Sequence, residues 1–186
     1  MKKLFTIILT FISFTISAQQ FDGVPISGTM TNAIAKFKAK GYVLSKIEGD
    51  AVIMKGKIAA YPIELIILST PKTKQVYKVV AFLEKDISWK SLKSNYFRFK
   101  DIFTDKYGEA ESDYEYFTDP YYEGDGYELQ AVRLEKCTYS SYWFDVMSMN
   151  VAVEISKYQQ IRLAYENATL VKVKQSEAAE IEAKSF

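Results

Sequence analysis

Residues 42–69 read YVLSKIEGDAVIMKGKIAAYPIELIILS, and apolar and polar side chains alternate along much of this stretch. A two-residue period is typical of β-strands with one buried face. From Ile63 to Leu68 the stretch is apolar on both faces apart from Glu64, which places this segment centrally in a sheet. Turn residues divide the stretch and its continuation into four predicted antiparallel strands, at residues 42–47, 51–57, 60–69 and 74–84.

Helical spacing is found on both sides of these strands. Before them, Thr29 or Thr31 can cap a helix that ends at Gly41 and whose apolar residues are Met30, Ile34 and Phe37. After them, a second helix is predicted between the cap Ser88 and Gly108, with an apolar stripe of Leu92, Tyr96, Phe99 and Phe103.

The two-residue period resumes in the second half of the chain, which predicts strands at residues 127–134, 137–144, 147–156 and 159–165. The helix-plus-four-strand order therefore occurs twice, in residues 29–84 and 88–165, and FKAKGY and FTDKYG close the two helices. We predict an α+β fold in which both units contribute to antiparallel sheet, with the helices on one face. The tail 169–186 can form a helix.

The N-terminus has the pattern of a secretory signal peptide. Lys2 and Lys3 precede an apolar and hydroxyl run from Leu4 to Ile16, and small residues follow, with Ala18 at the predicted cleavage point. The run is shorter than the roughly 20 apolar residues of a membrane-spanning helix. The sequence thus predicts a signal peptide at 1–18, a single globular domain at 19–168, a periplasmic or secreted location, and no membrane insertion after cleavage.

Composition excludes several classes of function. The formal charge is +1, and loss of Lys2 and Lys3 would make it −1, which argues against a nucleic-acid partner. Histidine is absent, so His-dependent nucleophiles and the commonest ligand of zinc are missing, and we predict no cofactor and no catalysis. Cys137 is the only cysteine, and we interpret it as a small buried residue.

The order of elements resembles the tandem helix-plus-four-strand architecture of the beta-lactamase inhibitor protein family, over nearly all of the predicted mature chain. This chain has one cysteine where that family has disulfides. The segments FDGVPISGTM at 21–30 and FKAKGY at 37–42 resemble a group of uncharacterised small exported bacterial proteins.

The segment Glu109–Glu128 carries eight carboxylates, five tyrosines and no basic residue. Asp119, Glu123 and Asp125 are weak candidates for calcium ligands, because they offer hard oxygen atoms beside two glycines. A pair of these carboxylates could also serve a hydrolase acting on envelope or extracellular glycan. The alternative interpretation is a solvated loop whose tyrosines lie at the rim of the sheet.

The strand 137–144 is rich in aromatic residues. Tyr139 and Trp143 share one face of it, and Tyr142 and Phe144 share the other. Either both pairs belong to the core, or one face is left uncovered by helices; because Ser141 makes the first face less uniformly apolar, that face is the candidate for the uncovered one. We therefore predict a module that binds a protein partner, in preference to a glycan, through four residues of the uncovered face and the acidic segment: Tyr139, Trp143, Tyr121 and Tyr122.

Overall fold

The computed structural model describes residues 20–184, and the predicted signal peptide 1–18 lies outside the described residues. The fold is α+β, as predicted. Its helices are α1 (Met30–Ala39), α2 (Trp89–Tyr107), α3 (Glu128–Arg133) and α4 (Ala168–Ala183). Its strands are β1 (Gln20–Phe21), β2 (Val24–Pro25), β3 (Val43–Glu48), β4 (Ala51–Ile58), β5 (Tyr61–Ser69), β6 (Val76–Leu83), β7 (Ser112–Phe117), β8 (Cys137–Val146), β9 (Met149–Ile155) and β10 (Ile161–Asn167).

Eight of the strands form one antiparallel sheet in the order β3-β4-β5-β6-β10-β9-β8-β7. The short pair β1 and β2 forms a separate hairpin. Within the large sheet, each half is a meander, and the halves meet where β6 pairs with β10. The interior position predicted for the third strand is confirmed, since β5 lies between β4 and β6.

The first two helices begin and end at the predicted residues. The Thr29 side chain accepts a hydrogen bond from the Asn32 N–H at 3.4 Å, and Ser88 caps α2 in the same way through the Ser91 N–H at 3.5 Å. Such caps satisfy backbone donors that a helix leaves unpaired at its first turn. Gly108, with φ of 86°, ends α2 in a conformation that favours glycine.

The main core lies between α1, α2 and one face of the sheet. The predicted stripe of α2 is buried in it, and Phe37 of α1 joins the same cluster. Along each strand, residues of this face alternate with residues of the other face. Across β5, β6, β10 and β9, the paired residues of this face form one buried row: Leu65, Ala81, Leu163 and Val153. Helices α1 and α2 therefore cover the same side, and we call the opposite side of the sheet the open face.

The prediction of a strand at 127–134 is wrong, because this segment contains α3. Ala131 and Val132 are buried in the core, and the Lys136 N–H closes the helix on the Ala131 carbonyl oxygen at 2.8 Å. The missing strand of the second unit is β7, which lies inside the acidic segment. A solvated loop is therefore the wrong description of residues 112–117.

The predicted C-terminal helix forms as α4, and one buried carboxylate holds it at the end of the sheet. The Glu177 side chain accepts hydrogen bonds from the Lys72 N–H at 2.7 Å and the Thr73 N–H at 3.2 Å, in the turn between β5 and β6. The Asn167 side chain caps the helix through the Leu170 N–H at 3.0 Å. No helix within residues 20–184 has the length and apolar character needed to cross a membrane.

We expect this attachment of α4 to weaken in acid. Burial raises the pKa of Glu177, but hydrogen bonds from Thr73 and Lys72 outweigh it and hold the pKa below its usual value. A lowered pKa means that the carboxylate stabilises the fold above the unfolded value of about 4.3 and that this contribution is lost as pH falls through the lower folded value. The amide NMR signals of Lys72 and Thr73 should then titrate with a midpoint below about pH 4.3.

Glu177→Gln should abolish that titration at both amides. Glu182→Gln, on an exposed side of the same helix, is the matched control and should leave it unchanged. Titration of both amides at the ordinary glutamate value in the native chain would contradict this account of how α4 is held.

Candidate functional site

Tyr139 and Trp143 lie on the face covered by α2, so the prediction that they form an uncovered surface is wrong. Tyr139 is 4% exposed and Trp143 is 1% exposed. The Trp143 ring packs against Phe103 with centroids 5.6 Å apart, and its Nε1–H donates to the Gly108 carbonyl oxygen at 2.7 Å. Both aromatic residues are therefore part of the core.

The cause of this error is Ser141, which is polar but fully buried. Its hydroxyl lies 2.6 Å from the Tyr96 hydroxyl of α2 and donates to Asp113 Oδ1 at 2.8 Å. A buried hydroxyl with such partners is tolerated in a core, whereas an unpartnered one would be costly. The serine thus marks a hydrogen-bonded contact between sheet and helix, and it does not indicate solvent.

The other aromatic pair of the strand, Tyr142 and Phe144, lies on the open face. Their rings are parallel with centroids 6.1 Å apart, and Tyr114 of β7 lies 6.4 Å from the Tyr142 ring. Tyr116 follows on the same side of β7. Three members are substantially exposed, with values of 46% for Tyr114, 51% for Tyr116 and 44% for Phe144. We call these four residues the aromatic strip.

A shallow depression of about 250 Å³ lies beside the aromatic strip. Its floor contains Ala152 and Ala164, which pair across β9 and β10, while Tyr142 and Phe144 form part of its wall. Val80 of β6 continues the row of small residues and packs with the two alanines. The depression has room for a single side chain, as an anchor pocket does at a protein interface.

Two ion pairs flank this row of small residues. Lys78 Nζ lies 2.8 Å from Glu166 Oε2 on one side. On the other side Arg162 contacts Glu154, which also accepts a hydrogen bond from the Tyr142 hydroxyl at 2.7 Å. Each charge is thus balanced within the face, so a partner could cover it without leaving an isolated buried charge.

The three calcium candidates do not converge. Glu123 binds Lys93 of α2 and accepts from the Tyr139 hydroxyl at 3.4 Å, while Asp125 accepts from the N–H groups of Tyr122 at 3.1 Å and Tyr127 at 2.7 Å. Asp119 precedes Pro120 through a cis peptide bond. Within residues 20–184, no group of three or more His, Cys, Asp or Glu side chains is arranged to hold a metal ion.

The tyrosines of the acidic segment, Tyr121 and Tyr122, lie in the turn that follows β7. Tyr122 is exposed, and the Tyr121 hydroxyl accepts from Gln130 Nε2 at 3.1 Å. Because Glu123 beside them is bound to α2, this turn sits toward the helix side and does not join the aromatic strip on the open face. The four predicted residues therefore do not form one exposed surface, because Tyr139 and Trp143 belong to the core and the two turn tyrosines lie apart from the open face.

Among the carboxylates of the acidic segment, Asp113 is the most closely surrounded by polar groups. These groups keep its side chain ionised. Burial raises the pKa of Asp113, but hydrogen bonds from Lys100 and Ser141 outweigh it and lower the pKa. The same Lys100 ammonium also lies 2.6 Å from Glu115. A general acid for glycan hydrolysis needs a raised pKa, so this cluster does not favour the hydrolase hypothesis.

Sequence reasoning missed β7 and the open-face aromatics, although the alternation in SDYEYF was a signal for both. Burial raises the pKa of Cys137 to about 12, in agreement with its interpretation as a buried residue.

Comparisons of this chain with protein-family models, curated proteins and solved structures find no match, so the resemblance to the beta-lactamase inhibitor protein family stays a prediction.

Proposed function

We propose that this protein is an exported, non-catalytic module that binds a protein partner through the open face of its sheet, with the acidic segment at the rim. The observation that carries the proposal is the aromatic strip beside the shallow depression, in which Tyr114, Tyr116 and Phe144 are about half exposed. Tyrosine and phenylalanine give a large contact area for little loss of side-chain entropy, and they are enriched at protein interfaces.

The distribution of polarity on this face supports a protein ligand. Small apolar residues form the floor, aromatic rings stand at one side, and balanced ion pairs lie around them. Interfaces between proteins commonly combine an apolar centre with a polar rim. Because the surrounding charges are already paired with each other, the binding energy would come mainly from the aromatic and aliphatic contacts.

Charge on the adjoining segment supports a basic partner. Residues 109–128 carry eight carboxylates, and Lys93 and Lys100 of α2 contact three of them, Glu123, Asp113 and Glu115. The remaining negative charge would steer a basic surface toward the neighbouring aromatic strip and would increase the association rate at low salt.

The double variant Tyr116→Ala, Phe144→Ala should lose binding while remaining folded. Removal of two interface aromatics at about 1–2 kcal/mol each predicts a loss of affinity of roughly 30- to 1000-fold. The measurement is quantitative capture from a native envelope extract, followed by titration of each captured protein against the purified variant. The matched control is Ile87→Ala, Tyr158→Ala, which removes two exposed apolar side chains outside the strip.

Ala164→Leu is an independent test, because it fills the depression and leaves the helix-covered core intact. Loss of the same captured protein from both the double variant and Ala164→Leu is the expected outcome. If folded Tyr116→Ala, Phe144→Ala protein keeps every partner at unchanged affinity, the open face is not the binding surface.

A further inference from the structure

We propose that β7 is the docking edge for an extended basic segment of a protein partner, which adds to the sheet as a ninth strand. The inference rests on the proposed function in taking the ligand to be a protein, and it specifies the form that the bound segment adopts. The juxtaposition that carries it is a strand edge, within an acidic, tyrosine-rich segment, to which no other strand of residues 20–184 pairs.

The backbone of β7 is available for pairing on its outer side. β7 is the terminal strand of the eight-stranded sheet, and β8 is its pairing partner. The Thr118 N–H donates to the Lys136 carbonyl oxygen at 2.8 Å, and the direction of these groups alternates along an antiparallel strand. Asp113, Glu115 and Phe117 therefore direct their N–H and C=O groups to the outer edge.

β7 lacks several of the features that protect other edge strands from pairing. Its register with β8 is continuous over all six residues, and its sequence SDYEYF has neither proline nor lysine. The opposite edge, β3, has a register shift between Leu44 and Lys46 and carries that lysine. Natural sheets use bulges, lysine, proline and inward-facing charges to prevent accidental edge pairing. Of these, β7 has only the inward-facing carboxylates Asp113 and Glu115, which disfavour an apolar or acidic strand and leave the edge selective for a basic one.

Charge distinguishes between possible occupants of this edge. A second copy of β7 would bring Asp113 and Glu115 against the same carboxylates. One Lys100 per copy pairs with both of them, so each strand keeps a net negative charge, and like charges across a strand pair are destabilising. β3 of a second copy offers no net attraction, because its Lys46 is already paired with Glu48 at 2.9 Å. A strand rich in lysine or arginine would be attracted to the acidic segment instead.

The side chains of β7 would then contact both sides of the added strand. Tyr114 and Tyr116 project to the open face, where they can cover the aliphatic stems of basic side chains or bind their cations. Asp113 and Glu115 project to the helix side, where Lys100 holds them in place. The same edge thus supplies backbone pairing, aromatic contact and negative charge.

The test uses a labelled ten-residue peptide of alternating lysine and valine, which forms a basic strand. We expect saturable binding that weakens with salt and protects the amide hydrogens of Asp113, Glu115 and Phe117 from exchange. The same peptide N-methylated at alternate backbone nitrogens, and a glutamate–valine peptide, should each bind at least roughly tenfold more weakly.

Glu115→Pro should reduce affinity for the lysine–valine peptide by roughly tenfold or more, because it removes an outward N–H and places a ring at the edge. Glu115→Gln keeps the N–H and is the matched control, for which only a few-fold loss is expected. Proline is tolerated where an edge N–H faces solvent, and the N-methylated peptide tests the same pairing should the variant fail to fold.

The proposal is overturned if the lysine–valine peptide does not bind, or if it binds without protecting the β7 amides. Self-association of the protein through β7 in place of peptide binding would overturn it too. Failure of the open-face function is detected separately by Ala164→Leu, because this residue of β10 lies three strands away from β7 and the variant would then keep its captured partner whatever the result at Glu115.

Discussion

Trp143→Ala should destabilise the protein by about 3–5 kcal/mol, the range for truncating a large aromatic side chain in a well-packed core. The Trp143 ring packs on Phe103 of α2, and its loss also leaves the Gly108 carbonyl oxygen without the indole donor. The cavity would lie between β8 and the C-terminal half of α2, where the backbone is fixed at both sides. Urea unfolding followed by circular dichroism measures the change as a shift in midpoint.

Phe144→Ala provides the matched control for this prediction, one residue further along the same strand. Its side chain is on the open face and partly exposed, so the expected loss is less than about 1 kcal/mol. Equal effects of the two substitutions would contradict the assignment of the faces of β8.

Gly56→Ala should cost about 1–3 kcal/mol, the usual effect of overpacking a core. A Cβ atom at Gly56 would lie 2.4 Å from Cδ1 of the Tyr42 ring, which is buried and packs on Phe37 with centroids 5.2 Å apart. The ring cannot move aside without losing its contacts with α1. The same unfolding measurement applies.

A double-mutant cycle with Tyr42→Ala separates this clash from other effects of the extra methyl group. Once the ring is absent, Gly56→Ala should cost almost nothing, so the two changes are strongly non-additive. A full cost for Gly56→Ala in the Tyr42→Ala background would show that the close approach of the ring is not the reason for glycine at this position.

Most of the fold could be predicted from the sequence because its signals are local. The caps Thr29 and Ser88, the buried stripe of α2 and the two-residue period of β4–β6 all follow from spacing alone. Residues 127–134 were harder, since a six-residue helix has too few turns to show its period against short strands. β7 was hidden because its helix-side positions include two carboxylates, and their pairing with Lys100 of α2 is not visible in the spacing of β7 itself.

The site was predicted less well than the fold, since the choice of face depends on long-range contacts. The alternation of Tyr139, Trp143 and Phe144 establishes that the residues divide between two faces, and this division is correct. Which face is covered depends on Ser141 meeting Tyr96 of α2, a contact that no spacing rule reveals. A single sequence therefore predicts the buried face of a sheet least well where that face contains hydrogen-bonded polar residues.

The meeting of the two meanders at β6 and β10 has a consequence for how the chain folds. Every other neighbouring pair in the eight-stranded sheet joins consecutive strands, whereas this pairing brings Val80 beside Ala164 from the opposite end of the domain. Closing so long a loop costs conformational entropy before its contacts are gained, while hairpins form quickly. We therefore expect the hairpins within each half to form before β6 and β10 pair, so that the pairing of these two strands limits the rate of folding.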